Sequence, residues 1–529
     1  MRFQPNTVLA FAALVTTLCR TTCLAQSDQL DPSFSGNGTF TTTLPPGNAS
    51  AQAILIDPNG KILVGGYAGS NNQLDFGLIR LNPDGTLDPT FSGDGRVRTG
   101  FYPGDERSIV ASVLSTDSSG YLAIGTGEEY QQNGELAIAR YDNTGALASW
   151  WGTGGKVTFG YVGDTSIWME GNAVMQPDGK ILMNARMDKW TGNRTILIRM
   201  NDDGSLDTTF GVGGIAISTK GIRSYAGSVA LQPDGRIVVA SSVLHAVDTI
   251  TLDMLVERYL EDGTLDTTFA DSGSFKMQFS PGGDDPRCVR VLSDGRIVVA
   301  GLSRFWSYDS QLVIFRLTSD GTLDSTFATD GSYLLDLGLN LDALTDLVVD
   351  DLGRLVASGT NEMVGYNNAT LLLRLDPDGH PDPTFGTNGL LVHDHGATDD
   401  SFKCLALQPD GKIVAAGYSD SNLLVDRFLP NSTVGVAELH PRADALLVYP
   451  DPATDHVMVA NAGAVGALQR VLLMDTHGIV VQQFAPSDLH FVANGFVLDL
   501  PRSLAAGPYI VAVRSTRGVQ HATLIKLAD

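Results

Sequence analysis

Arg80-Leu81-Asn82-Pro83-Asp84-Gly85-Thr86-Leu87-Asp88-Pro89-Thr90-Phe91 is the stretch on which the fold turns. Pro-Asp-Gly is turn chemistry, so the segment reads as a hairpin centred on Asp84 that sets Leu81 opposite Leu87 and Arg80 opposite Asp88. Neighbouring positions on a strand point to opposite faces, so the leucine pair and the ion pair serve different sides of the sheet. An arginine fork on a carboxylate in a partly buried place is a directional, charge-assisted contact.

The end of that stretch is not unique. Leu87 to Phe91 repeats Leu30-Asp31-Pro32-Ser33-Phe34 and returns at Leu206 to Phe210, Leu265 to Phe269, Leu323 to Phe327 and Pro381 to Phe385, with a degenerate copy at Leu147-Ala148-Ser149-Trp150-Trp151. Counting Trp151 with the phenylalanines, the intervals are 57, 60, 59, 59, 58 and 58 residues, which means one structural unit copied seven times. An arginine stands 11 residues before each later anchor, and its expected partner is the Asp three before it: Arg80 with Asp88, Arg199 with Asp207, Arg258 with Asp266, Arg316 with Asp324 and Arg374 with Asp382. These are expected as structural ion pairs and not as a ring of ligand-binding arginines. Two members are left over: Arg427 has no Asp downstream, and Asp31 has no Arg upstream. Pairing them predicts a closed ring in which the N-terminal segment completes the last unit, whereas an open solenoid would leave both unpaired and expose sheet edges.

Each unit reads as four strands: a short one such as Arg96 to Thr99, an apolar one such as Ser228 to Gln232, a run such as Arg236 to Ala240 after a Pro-Asp-Gly turn, and one such as Leu312 to Leu317. Runs apolar at consecutive positions, such as Lys61 to Val64, need cover on both faces. Sheets stacked around an axis supply it, so the expected fold class is all-β: a seven-bladed β-propeller of four-stranded repeats, followed by a C-terminal Ig-like β-sandwich.

The Leu-Asp-x-Thr-Phe-Gly phrase, with Gln408 to Ile413 and Arg374 to Gly379, resembles the bacterial delta-60 repeat over residues 30 to 434. That resemblance implies a propeller-like fold and export, and brings no established activity with it. Beyond it, Leu447-Val448-Tyr449-Pro450-Asp451-Pro452, Gly507-Pro508-Tyr509 and the final strand Thr523 to Leu527 resemble the type A C-terminal sorting domain of type IX (Por) secretion. Asp451 stands where that family usually has Asn, and the chain ends Ala528-Asp529 after a single Lys526. The resemblance implies a partner in the secretion machinery and removal of the domain after passage across the outer membrane of a Gram-negative bacterium. The expected division is a signal peptide over 1–25, the ring over 26–435, a linker over 436–446 and the sorting sandwich over 447–529.

Composition agrees with export and excludes some partners. Arg2, the apolar run Val8 to Cys19 and Cys23-Leu24-Ala25 form a signal-peptide pattern. Lys+Arg 35 against Asp+Glu 59 gives a net charge of −24, which argues against nucleic acid and anionic membrane surfaces. No apolar run is long enough for a transmembrane segment. Cys288 and Cys404 occupy one slot of the repeat, six residues before the Asp of their turn, and so are expected two units apart and unbridged.

Catalytic signals are sparse: no P-loop, no His-Glu-x-x-His and no Gly-x-Ser-x-Gly is present. No cofactor and no metal site are expected. His393-Asp394-His395 would set two imidazoles on one strand face without a third ligand, and Glu128-Glu129 reads as a solvated pair. The candidate ligand-binding residues are the aromatics of the variable loops, Tyr67, Tyr130, Trp190, Trp306, Tyr308, Tyr366 and Tyr418, several beside Asn. Amphipathic rings next to amides suit a glycan or peptide. The expectation is therefore a secreted or surface-attached, monomeric binding or scaffold protein, with an extracellular carbohydrate-active enzyme as the alternative.

Overall fold

The computed structural model describes residues 29–430 and 447–526, apart from 46, 71–72, 103–105, 117–119, 130–132, 161–164, 190–191, 222, 245–250, 307–308, 339–340, 364–366, 398, 450–455, 461–467, 475–479, 493–494, 502–503, 506 and 516–517. The signal peptide and the linker expected from the sequence lie outside the described residues. The chain divides into two compact units, 1–433 and 434–529.

The first unit is a succession of antiparallel sheets in which sheet order follows chain order. Arg223–Leu231, Ile237–Leu244, Asp253–Tyr259 and Ser274–Met277 form one such sheet, and the pattern recurs over 284–335 and 343–393. Over 166–217 the first strand is broken into Ser166–Trp168 and Ala173–Met175, both paired with Ile181–Lys189. Two further copies, over 48–99 and 106–159, are joined into one sheet by a single parallel bridge between Leu74 and Arg107. The sheets begin one strand later than the sequence phrase suggests. Arg96–Thr99 pairs back onto Gln73–Leu81, because the Gly-rich turns after Phe91 return the chain along the strand it has just left.

Burial follows from stacking. Ile237, Val238, Val239 and Ala240 are all buried although they point alternately to both faces, since each sheet is covered on both sides. The anchors Phe34, Phe91, Phe210, Phe269, Phe327 and Phe385 are wholly buried. Each of the first five sits under the turn of the following copy. At Gly85, with φ +85°, an added Cβ would stand 2.7 Å from the Phe34 ring, so the turn glycine is required both by conformation and by close approach.

The last sheet takes strands from both ends of the unit. Asp400–Leu407, Ile413–Ser419 and Asn422–Phe428 are completed by Thr39–Thr42, with Thr39 opposite Asp426 and Thr42 opposite Leu423. Leu30 bridges to Phe428, and the Asp31 amide donates to the Arg427 carbonyl at 2.8 Å. Asn48–Ile56 packs against Asp400–Leu407, so the succession of sheets returns to its start.

The second unit consists of two four-stranded antiparallel sheets. One holds Leu447–Tyr449, His456–Ala460, Gly495–Asp499 and His490–Val492; the other holds Val480–Phe484, Leu468–Met474, Gly507–Ser515 and Gly518–Lys526. Val457, Val459, Val471, Leu473, Phe496 and Leu498 belong to one apolar cluster drawn from both sheets. Among the described residues no helix is long and apolar enough to cross a membrane.

Candidate functional site

The first strand of each sheet in the first unit lines a common cavity of about 770 Å³. Six of these strands carry a β-bulge at one repeat position, with Gln52, Ala111, Gly227, Arg287, Thr345 or Lys403 as the extra residue. In the remaining copy the strand break at Met169 to Asn172 takes that place. A bulge re-aims one side chain out of the pleat, and every one of these residues lines the cavity. The frame repeats while the residue delivered to the axis changes from copy to copy.

The cavity wall is polar and charged. Arg186 pairs with Asp188 at 2.8 Å and with Glu170, whose carboxyl is raised by desolvation. Arg287 lies 2.6 Å from Asp285, and Arg290 lies 2.6 Å from Asp346. Asp346 also accepts the Leu405 amide at 3.0 Å and the Cys288 thiol at 3.4 Å, tying three successive inner strands together. Asn172 makes a comparable link, accepting the Val229 amide at 2.7 Å and donating to the Val229 carbonyl at 3.1 Å. The thiols are buried and unbridged. Burial pushes Cys288 up to about 12 and Cys404 well above its ordinary value, which leaves neither as a nucleophile. Burial, followed by the charge of Arg287, pulls the Lys403 ammonium below its usual range.

The arginines and aspartates singled out in the sequence lie away from this cavity, at the turn end of the sheets. Arg80 Nε is 2.8 Å from Asp88, Arg199 2.7 Å from Asp207, Arg258 2.8 Å from Asp266, Arg316 2.7 Å from Asp324 and Arg374 2.9 Å from Asp382. Arg427 meets Asp31 at 2.9 Å. Each guanidinium also lies over its own anchor ring, as at 4.6 Å for Arg80 on Phe91 and 4.8 Å for Arg427 on Phe34. A third contact runs onward: Arg80 donates to the Asn143 carbonyl at 2.6 Å, Arg258 to Ser319 at 2.6 Å and Arg316 to Pro377 at 2.6 Å, each on the next copy, while Arg427 donates back to Pro83. At the degenerate copy, where Ala148 replaces Asp, Arg140 turns to Asp202 at 2.8 Å. Burial alone would raise Asp88, but hydrogen bonds from Thr90 and Lys61, with the charge of Arg80, hold it down to about 2.

The Domain of unknown function (DUF5122) beta-propeller family matches residues 58–91, 176–210, 232–269, 292–327, 353–385 and 408–434. The chain is a β-propeller repeat protein. The matches pass over the copy that ends in Trp150-Trp151. No curated protein matches the chain. Among solved structures it is similar to an inactive virginiamycin B lyase from Staphylococcus aureus with quinupristin, at 12% identity over 74% of this chain and 99% of that one, TM-score 0.39. It is also similar to Drosophila Semaphorin 2a, at 9% identity over 93% and 98%, TM-score 0.44, and to the polysaccharide lyase Uly1, at 9% over 74% and 92%, TM-score 0.40. Scores below 0.5 carry no argument about chemistry.

Of the loop aromatics in the propeller, Tyr130, Trp190, Tyr308, Tyr366 and the side chain of Trp306 lie outside the described residues. Tyr67 and Tyr418 sit half-buried on second strands, opposite Ser50 and Ser401. The Tyr418 hydroxyl donates to Asp399 at 3.4 Å, and burial together with Asp399 lifts it to about 12. The Lys403 ammonium stands 5.3 Å over its ring. The expected two-histidine strand face differs in detail: Leu390–His393 ends before His395. The rings still meet edge to face at 4.5 Å, and His395 Nε2 lies 3.0 Å from the buried Asp426. Among the described residues no group of three His, Cys, Asp or Glu side chains is placed to hold a metal ion.

Sequence reasoning passed over Arg287 and Lys403. A signal existed, because a position reading Gln, Ala, Gly, Arg, Thr and Lys across copies of an otherwise apolar strand does not behave as core.

Proposed function

We propose that this propeller is an exported binding protein: a closed ring of seven blades that holds its ligand in the axial cavity. Its Ig-like C-terminal unit is the type IX sorting address, and the mature chain, starting near residue 26, is released or surface-attached. One observation carries the binding reading. A uniform frame of staples and anchors surrounds a cavity to which a bulge in each of six inner strands presents a different residue, and variation gathered on a concave polar surface is what a recognition site requires. The Asp31–Arg427 pair and the shared last sheet support closure. The mature protein, screened on glycan and peptide arrays, is expected to retain one class that Ala111→Phe, which fills the cavity, abolishes. Retention unchanged by that substitution, or no retention at all, overturns the reading. Export is tested by fractionation in a type IX-competent host, where loss of the segment beyond about residue 447 is expected and an uncut intracellular chain refutes the address.

A second reading, an extracellular carbohydrate-active hydrolase or lyase, is favoured by Glu170 alone, a desolvated carboxyl in the cavity wall beside Arg186. Glycan turnover lost on Glu170→Gln would select it over binding.

A further inference from the structure

We propose that the axial cavity recognises an oxyanion, held between Lys403 and Arg287, on a small polar ligand. This rests on the binding reading above and names its chemistry. The charges of the cavity wall are satisfied pair by pair except at one place. Arg186, Arg287 and Arg290 each have a carboxylate within 2.8 Å, at Asp188, Asp285 and Asp346. Lys403 has none: among the described residues its ammonium makes no ion pair and no hydrogen bond; it stands 5.3 Å over the face of Tyr418, with the charges of Arg287 and Asp399 acting on it from beyond contact. Lys403 and Arg287 occupy the same bulge position two copies apart, with Thr345 between them in the series. The Thr345 hydroxyl donates to the Phe402 carbonyl at 2.9 Å and, being neutral, supplies no counter-charge to either cation.

Lys403 therefore faces a partly desolvated space with no carboxylate in contact, and burial and the nearby charge of Arg287 make its own charge less favourable there. Arg287 keeps free N–H groups beyond its Asp285 contact, since a guanidinium carries five donors. An oxyanion placed between the two would accept from both and remove the unfavourable term. Carboxylates and phosphate or sulfate esters share this chemistry, and about 770 Å³ leaves room for the sugar- or dipeptide-sized body that carries one. The chain as a whole carries a net charge of −24, so its long-range field does not draw anions. Affinity for an anion thus has to come from a local group of cations such as this one.

The test is calorimetric titration of the full mature chain with sodium glucuronate, inorganic phosphate, inorganic sulfate and, as the neutral control, glucose. At least one oxyanion is expected to bind and to raise the melting temperature, with affinity falling as salt rises, and glucose is expected to bind at least tenfold more weakly. Lys403→Gln and Arg287→Gln should each weaken that binding at least tenfold while retaining the circular-dichroism spectrum. Ala111→Phe and Gln52→Trp, which narrow the cavity and leave both cations in the chain, should weaken it as well. No oxyanion binding, or binding that survives Lys403→Gln and Arg287→Gln, overturns the proposal. A ligand from the arrays that is lost in Ala111→Phe but kept in Lys403→Gln overturns the oxyanion and leaves the cavity standing as a binding site. A ligand kept in both filled variants removes the cavity reading itself.

Discussion

Arg316 is almost wholly enclosed, and its removal would leave Asp324 with Thr326 and only the partly exposed Arg296, at 3.6 Å, against it. Breaking a buried pair costs about 3–5 kcal/mol where the surviving carboxylate is left uncompensated, and the residual Arg296 contact sets the cost here at the lower end, about 3 kcal/mol. Arg316→Ala is therefore expected to lower the urea midpoint by that equivalent, and a loss under about 1 kcal/mol would show the staple to be solvated. The aspartates of these pairs are held below their ordinary range, so the stability they add is present above the unfolded value near 3.8 and is lost as pH falls toward about 2 at Asp88. Glu257 has the opposite sign. It is wholly buried, and burial pushes its carboxyl up to about 7 despite the hydroxyls of Ser218 and Tyr259. The folded state therefore binds a proton that the unfolded state releases, and stability falls as pH rises from about 4.5 to about 7. Glu257→Gln should raise the melting temperature at pH 8 and leave it nearly unchanged at pH 4; an equal effect at both would exclude the proton.

The elements that sequence reasoning reached most directly are the hairpins whose partners lie close in the chain. Arg80 and Asp88 are eight residues apart, so a turn signal is enough to bring them together. Bulges are different. Arg287 faces the axis because Pro286 and Cys288 pair with adjacent residues of the next strand, a register shift that local propensity does not encode. The strand Thr39–Thr42 shows the other extreme, being paired with residues almost the whole length of the ring away. Deleting residues 26–42 should leave Asn422–Phe428 as an open edge, with Arg427 unpaired and the Phe34 site empty. The expected outcome is a lower melting temperature and self-association in light scattering, both reversed by a peptide spanning residues 29–44. An unchanged monomer would show that the last sheet is complete without it.

At the scale of the molecule, the division at residue 433 and the separate apolar clusters imply two cooperative foldings. A chain limited to 26–435 should give a soluble β protein with a single melt, and the full chain should show a second transition absent from the shorter one; an aggregated product would make the tail part of the ring. The two-ended sheet has a mechanical side too. Leu30 and Phe428 are bridged, and the chain leaves the sheet at both of these points, on the same side of an antiparallel pair. Tension applied through the two ends therefore loads these hydrogen bonds one after another, as in a zipper, and does not shear them together. A propeller tethered at one end and pulled at the other would open first where its two ends meet, at low force, with the other sheets still folded.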